Sequence, residues 1–202
     1  VSYYRSLGAD LTVETCPHYL TLNEKDVERW GVYCICNPPI RDQSVQDELW
    51  KRVLEGKLDC IGTDHSAYLH TEKAEGKDNI FKTPAGMQLC YPLFFDEAVN
   101  KRGMSVEQFV SMSSTAAAKR YDIYPKKGLI DVGADADVVI FDPKAQWVVE
   151  NKKLFYLEKW TPHVGRTVTG RVDETIVRGK SVYRDGEILA EGGYGCFVPA
   201  LR

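Results

Sequence analysis

The chain has 202 residues, 44% hydrophobic and 27% charged, with a formal net charge of −3. That is enough chain for a sizeable core, and the mild acidity gives no reason to expect nucleic acid or an anionic membrane as partner. No apolar run approaches the roughly 20 residues that span a bilayer and no signal peptide is evident, so a cytoplasmic protein is expected.

Val1 to Leu7 reads as the back half of a helix, with no initiating Met and no N-cap, so a truncated chain is expected. Leu11 to Cys16 reads as a short strand, β-branched and then broken by Pro17. Val32 to Cys36 is a second strand-like run, stopped by Pro38-Pro39. Ser44 to Glu55 predicts a helix capped by Ser44, with Val45, Leu49, Val53 and Leu54 as its apolar stripe and Gly56 closing it. Leu58 to Gly62 predicts a third strand, buried on both faces, that runs into Thr63-Asp64-His65. Residues 66–86 read as a long polar loop, of the kind that is usually functional. Helices are then expected over about Leu89 to Lys101, after the capping box Ser105-x-x-Gln108, and over Thr115 to Tyr121.

Near Pro125 the character changes. Glycines punctuate short β-rich runs at Val138 to Phe141, Trp147 to Val149, Val168 to Thr169, Glu174 to Val177 and Ser181 to Tyr183, with a tight hairpin at Arg178-Gly179-Lys180. The expected organisation is an α/β part over 1–124, a β segment over 125–190 and a tail over 191–202. The six cysteines (Cys16, Cys34, Cys36, Cys60, Cys90, Cys196) form no CxxC pair and mostly sit in apolar runs, so buried free thiols are expected rather than a disulfide framework.

The strongest local feature is the buried strand ending in Thr63-Asp64-His65-Ser66. A polar cluster at the C-terminal end of a parallel strand suggests a βα barrel, whose catalytic groups sit at that end. A carboxylate there can bind a divalent cation or act as a base on its water. It can equally cap a turn, and on this tripeptide alone the two readings stand level.

Five segments occur in order: Glu14-Thr-Cys-Pro-His-Tyr-Leu20, Asn37-Pro-Pro-Ile-Arg41, Thr63-Asp64-His65-Ser66, Gly133-Ala-Asp-Ala-Asp-Val-Val-Ile-Phe-Asp142 and Val177-Arg-Gly-Lys-Ser-Val182. Together they resemble the C-terminal half of the cyclic amidohydrolases (dihydropyrimidinase/hydantoinase, allantoinase and dihydroorotase) over essentially the whole chain. The resemblance implies an α/β fold: the C-terminal part of a (β/α)8 TIM-type barrel with strands of a small β-sandwich. It also implies a centre of two divalent metal ions, usually zinc, held by a His-x-His pair, a carboxylated lysine, two further histidines and an Asp. Asp64 matches that Asp, which in the family also carries a proton from the attacking hydroxide to the leaving nitrogen. The four histidines here (His18, His65, His70 and His163) form no His-x-His. His18 and His65 match no ligand position, and structural hydrogen bonding is expected of both. The chain alone is therefore expected to hold no binuclear centre and to be inactive.

The resemblance also implies substrate contacts. Asn37 stands where the family's NPP or SPP segment meets the ring, and Pro84-Ala85-Gly86 stands where backbone reads the ring amide, Ala85 replacing a common Asn. As bare sequence both are good turn formers. Tyr68 occupies the position at which dihydroorotases carry a His and hydantoinases often an aromatic residue; it could equally only pack its loop. The expected substrate is a small cyclic ureide or imide of hydantoin or dihydropyrimidine type, allantoin included. The alternatives are dihydroorotate, or a non-catalytic dihydropyrimidinase-like scaffold. A homotetramer or homodimer is implied, and the apolar tail is expected to pack on a neighbouring subunit or back on its own chain.

Overall fold

A computed structural model describes residues 1–66, 68–74, 83, 84 and 86–201. Two sheets organise them. In the first, β1 (Glu14–Thr15) pairs in parallel with β2 (Cys60–Ile61), Glu14 opposite Cys60 and Thr15 opposite Ile61. The ladder continues in the bonds Asp59 N–H to Val13 O, 2.8 Å, and Gly62 N–H to Thr15 O, 2.9 Å. Asp59 further fixes the register by accepting from Val13 N at 2.7 Å and from the Arg5 guanidinium on α1 (Ser2–Ser6).

Helices cover this pair. α2 (Pro17–Thr21) begins directly after β1 with Pro at its first turn, where the missing N–H costs nothing. α3 (Glu24–Trp30) carries a full capping box between Asn23 and Asp26. α4 (Gln43–Leu54) is capped by Asp42, whose carboxylate accepts from Val45 N at 3.0 Å. Ser44 is thus not the cap: its hydroxyl donates to Asp42, because a carboxylate is the stronger acceptor for the orphan amides. α4 holds α2 in place: the Trp50 indole donates to Leu20 O at 2.8 Å, and the Gln46 amide to Leu22 O at 2.6 Å. Leu20, Trp50, Val53, Leu58, Ile61, Phe94, Ala98, Met104 and Met112 form the main core.

The run expected as a strand at Val32 to Cys36 is instead a 3-10 turn over Gly31–Cys34. Gly31 enters it at a φ of 56°. Around it the rings of Trp30 and Tyr33 pack against Trp160. The polar loop after Ser66 also contains a short helix, α5 (His70–Ala74), opened by Glu72 accepting from Leu69 N.

α6 (Cys90–Phe95) runs into a wider π-type turn over Asp96–Asn100. α7 (Val106–Val110) is capped by Ser105 as expected, but the Gln108 amide reaches Val53 O instead of completing the box. A π-type turn over Ser111–Thr115 leads into α8 (Ala116–Arg120).

The second sheet is an antiparallel meander, β3 (Val138–Val148), β4 (Thr167–Val177), β5 (Lys180–Arg184) and β6 (Glu187–Ile188). Four of the expected runs merge into two long strands. β3 bends at Pro143, where the Asp142 carboxylate takes up the Lys144 and Ala145 amides. β4 continues through Gly170, whose φ is 114° and whose missing side chain admits the Phe141 and Phe95 rings. Leu89, Leu93, Val149, Leu154, Tyr156 and Val168 form a second core between α6 and this sheet. At its edge Glu97, 6% exposed, takes Lys101, Arg102 and Arg166. The tail returns to its own chain, with Tyr194 OH donating to Val177 O at 2.9 Å and Leu201 N to Asp122 O at 2.5 Å. Among the described residues no helix is long and apolar enough to cross a membrane.

Candidate functional site

Because β1 and β2 run parallel, both chains leave the sheet at the same end. Cys16 to Tyr19 and Thr63 to His65 therefore stand side by side. Gly62 allows this closeness, since a Cβ there would meet the Glu14 carboxylate at 3.0 Å.

Asp64 is exposed and has a φ of 47°. This is left-handed backbone, which Asp enters with less penalty than most side chains and which tends to mark functional turns. Its Oδ2 accepts from Thr83 Oγ1 at 2.6 Å, and Thr83 is 2% exposed. No motif pointed to Thr83; only its place in the loop following Asp64 could have.

The charge of Asp64 is felt by the groups around it. The Cys16 thiol is pushed up to about 12, by burial first and then by Asp64 and Glu14. Burial lowers the His18 imidazole to about 4, with Asp64 pulling it partly back. The Tyr19 and Cys36 groups are both raised, mainly by burial. His18 is thus a neutral imidazole, 5% exposed, and its Nε2 has no hydrogen-bond partner among the described residues; the same holds for Nδ1 of His65. Structural hydrogen bonding was expected of both residues; the Tyr19 ring lies 4.1 Å from His18 and the Tyr156 ring 5.2 Å from His65.

The Asn37 segment belongs to the same end. Asn37 is exposed, and the adjacent Pro38 carbonyl accepts from Tyr19 OH at 3.0 Å and from Cys36 Sγ at 3.2 Å. Tyr68 is 3% exposed, its hydroxyl raised by burial first and then by the charge of Glu158, with the Lys73 ammonium 5.7 Å from its ring. Gly86 starts the turn into α6 by accepting from Leu89 N. Ala85 lies outside the described residues.

Asp64 suits a divalent cation: it is an accessible hard oxygen donor with one oxygen anchored. It is one donor of a set that needs about four, and among the described residues no group of three His, Cys, Asp or Glu side chains could hold a metal ion. Five of the six cysteines are buried and all are free. They stand as thiols, not as bridges.

Known proteins resemble this chain in sequence and fold. The model of the amidohydrolase family matches residues 11–182. An allantoinase of Salmonella newport (strain SL254) is 40% identical over 183 residues, covering 91% of this chain and 40% of the relative. The solved L-hydantoinase (dihydropyrimidinase) from Arthrobacter aurescens superposes with a TM-score of 0.91 at 34% identity, over 98% of this chain and 44% of that one. A dihydropyrimidinase from Brevibacillus agri NCHU1002 gives 0.85 at 32%, over 93% and 42%. The chain thus spans about two-fifths of the length of the relatives it matches. The fold is α/β, part of a (β/α)8 amidohydrolase barrel with an antiparallel sheet beside it. With nearly all of its length matched by sequence and by structure, the chain belongs to the amidohydrolase family and sits with its cyclic-amide members.

Proposed function

We propose that this chain forms one side of the active site of a metal-dependent hydrolase that opens the cyclic amide of a hydantoin-like or dihydropyrimidine ring. The observation that carries this is the parallel pair β1–β2, which sets the Asp64 carboxylate beside the Cys16–Tyr19 and Asn37 segments. Bound divalent metal, two zinc ions in this reading, would be held in part by Asp64 and would supply the Lewis acid that makes water a nucleophile near neutral pH.

The chain's own residues have separate tasks. Asp64, oriented by Thr83, accepts the proton of the attacking water and returns it to the ring nitrogen as the C–N bond breaks. Asn37 and the backbone of Ala85 and Gly86 bind the ring, while Tyr68 supports that wall from its buried position. Division into 1–124, 125–190 and the tail 191–202, a homo-oligomeric assembly and a cytoplasmic location belong to the same proposal. Allantoinase and hydantoinase relatives at 40% and 34% identity favour a ureide or imide ring over dihydroorotate.

The test is a panel of hydantoin, dihydrouracil, allantoin and dihydroorotate on the full-length protein, with metal analysis. Turnover of dihydroorotate alone overturns the substrate class. Absence of bound metal points to a scaffold. Robust hydrolysis by the isolated 202-residue chain overturns the claim that most ligands lie elsewhere.

A further inference from the structure

Lys73, on α5 in the loop after Asp64, is fully buried at 0% exposure. An ammonium group stays out of water only where other groups replace its hydration. Here Nζ donates to the Ile35 carbonyl at 2.5 Å and stands 5.7 Å from the centroid of the Tyr68 ring, within cation–π reach. Its charge also falls on the Cys34 and Cys36 thiols, opposing the rise that burial gives them. Ile35 immediately precedes Cys36 and Asn37. Tyr68 belongs to the segment that follows Asp64, and the charge of Glu158 falls on its hydroxyl. One buried cation thus joins the two segments that border the candidate site.

We propose that Lys73 is a positioning residue: its bond to the Ile35 carbonyl locks the Asn37 segment to the segment following Asp64, and so sets affinity for the cyclic-amide substrate. This rests on the functional reading above. Lys73 does not touch the reacting atoms, so its loss acts on binding more than on the chemical step. A core-filling role alone would be preserved by methionine, which has a similar length and no charge.

The experiment uses Lys73→Met and Lys73→Arg in the full-length protein. For Lys73→Met, KM rises about tenfold and kcat stays within about threefold, the scale of one charged hydrogen bond acting on binding. Metal content is unchanged, amide exchange at Cys36 and Asn37 quickens, and Lys73→Arg recovers part of the KM. A KM within about twofold of wild type, or a loss of kcat together with metal, overturns the proposal. If Lys73→Met does not fold, Lys73→Gln is read by the same criteria. If the wild-type protein opens no cyclic amide, the functional reading fails by itself. Exchange at Cys36 and Asn37 then decides the lock alone: faster supports it, unchanged overturns it.

Discussion

β1 and β2 pair over two residues each, from distant parts of the chain, and owe their alignment to α2, α4 and the carboxylate of Asp59. β4 and β5 pair across a two-residue turn, Arg178-Gly179, in which both residues have positive φ (49° and 78°). The β4–β5 hairpin is therefore specified by chemistry a few residues long, while the parallel pair exists only once the core has formed. The site stands on the second kind of structure. Its geometry depends on contacts between segments that no local pattern announces.

The sharpest way to break this comparison is Asp64→Asn in the full-length protein. The amide keeps the shape and can still accept from Thr83, but it neither shuttles a proton nor binds metal as a charged ligand. Hydrolysis should fall by roughly 10²–10⁴-fold, while the urea midpoint stays near wild type because Asp64 is exposed. Steady-state rates beside an unfolding curve check both halves. Comparable losses of activity and stability would make Asp64 a structural cap instead.

Next comes Gly170→Ala. A Cβ at this position would lie 2.8 Å from Phe141 and 2.9 Å from Phe95, on backbone with a φ of 114°. Strain and overpacking act together, so a loss of about 3 kcal/mol is expected by chemical denaturation. The rings join the sheet to α6, so the two cores should lose cooperativity as well as stability.

How much of this was readable in the sequence follows the same division. The hairpin at Arg178-Gly179, the Ser105 cap and a buried strand within 58–62 were legible because each is signalled by neighbouring residues. A second turn, Asp185-Gly186, carries an Asp-Gly hairpin signal with positive φ at both residues and could have been read. The strand expected at Val32 to Cys36 misled, since an apolar β-branched run records burial without saying what covers it. Thr83 and Lys73 were illegible: a polar residue in a polar loop gives no hint that it will end 2% or 0% exposed against a distant segment.

A pH titration gives a smaller effect that also tests the packed side. His163 is 6% exposed, and burial first, then the Arg166 charge and the nearby His18 imidazole, lower its own imidazole to about 3 against the opposing pull of Glu97. The unfolded chain takes up this proton near pH 6.5, whereas the folded chain refuses it until about pH 3. Stability is therefore whole above about pH 6.5 and declines as the pH falls toward 3, by roughly 1 kcal/mol per pH unit. Glu97 is also lowered, its three cations outweighing the opposing effect of burial. Its contribution is lost only below the ordinary carboxylate range, so pH 7 to 5 isolates the imidazoles. Urea midpoints across that window should slope less in His163→Gln than in wild type. An unchanged slope would mean that His163 is protonated as readily folded as unfolded.

The smallest expected effect is the most discriminating about local coding. Gly179→Ala resembles Gly170→Ala in chemistry and in positive φ, but nothing lies within 4 Å of its added Cβ. Only the backbone penalty remains, about 1 kcal/mol for an L residue in left-handed conformation. Amide exchange should quicken in β5 and β6 while β1, β2 and the kcat of the full-length protein stay unchanged. If Gly179→Ala instead costs as much as Gly170→Ala, the β4–β5 turn is held by contacts beyond its own two residues, and the division between the two sheets fails. If it costs nothing, the hairpin's register is fixed by the cross-strand pairs Thr175 with Tyr183 and Glu174 with Arg184, the latter an ion pair at 2.5 Å, rather than by the turn.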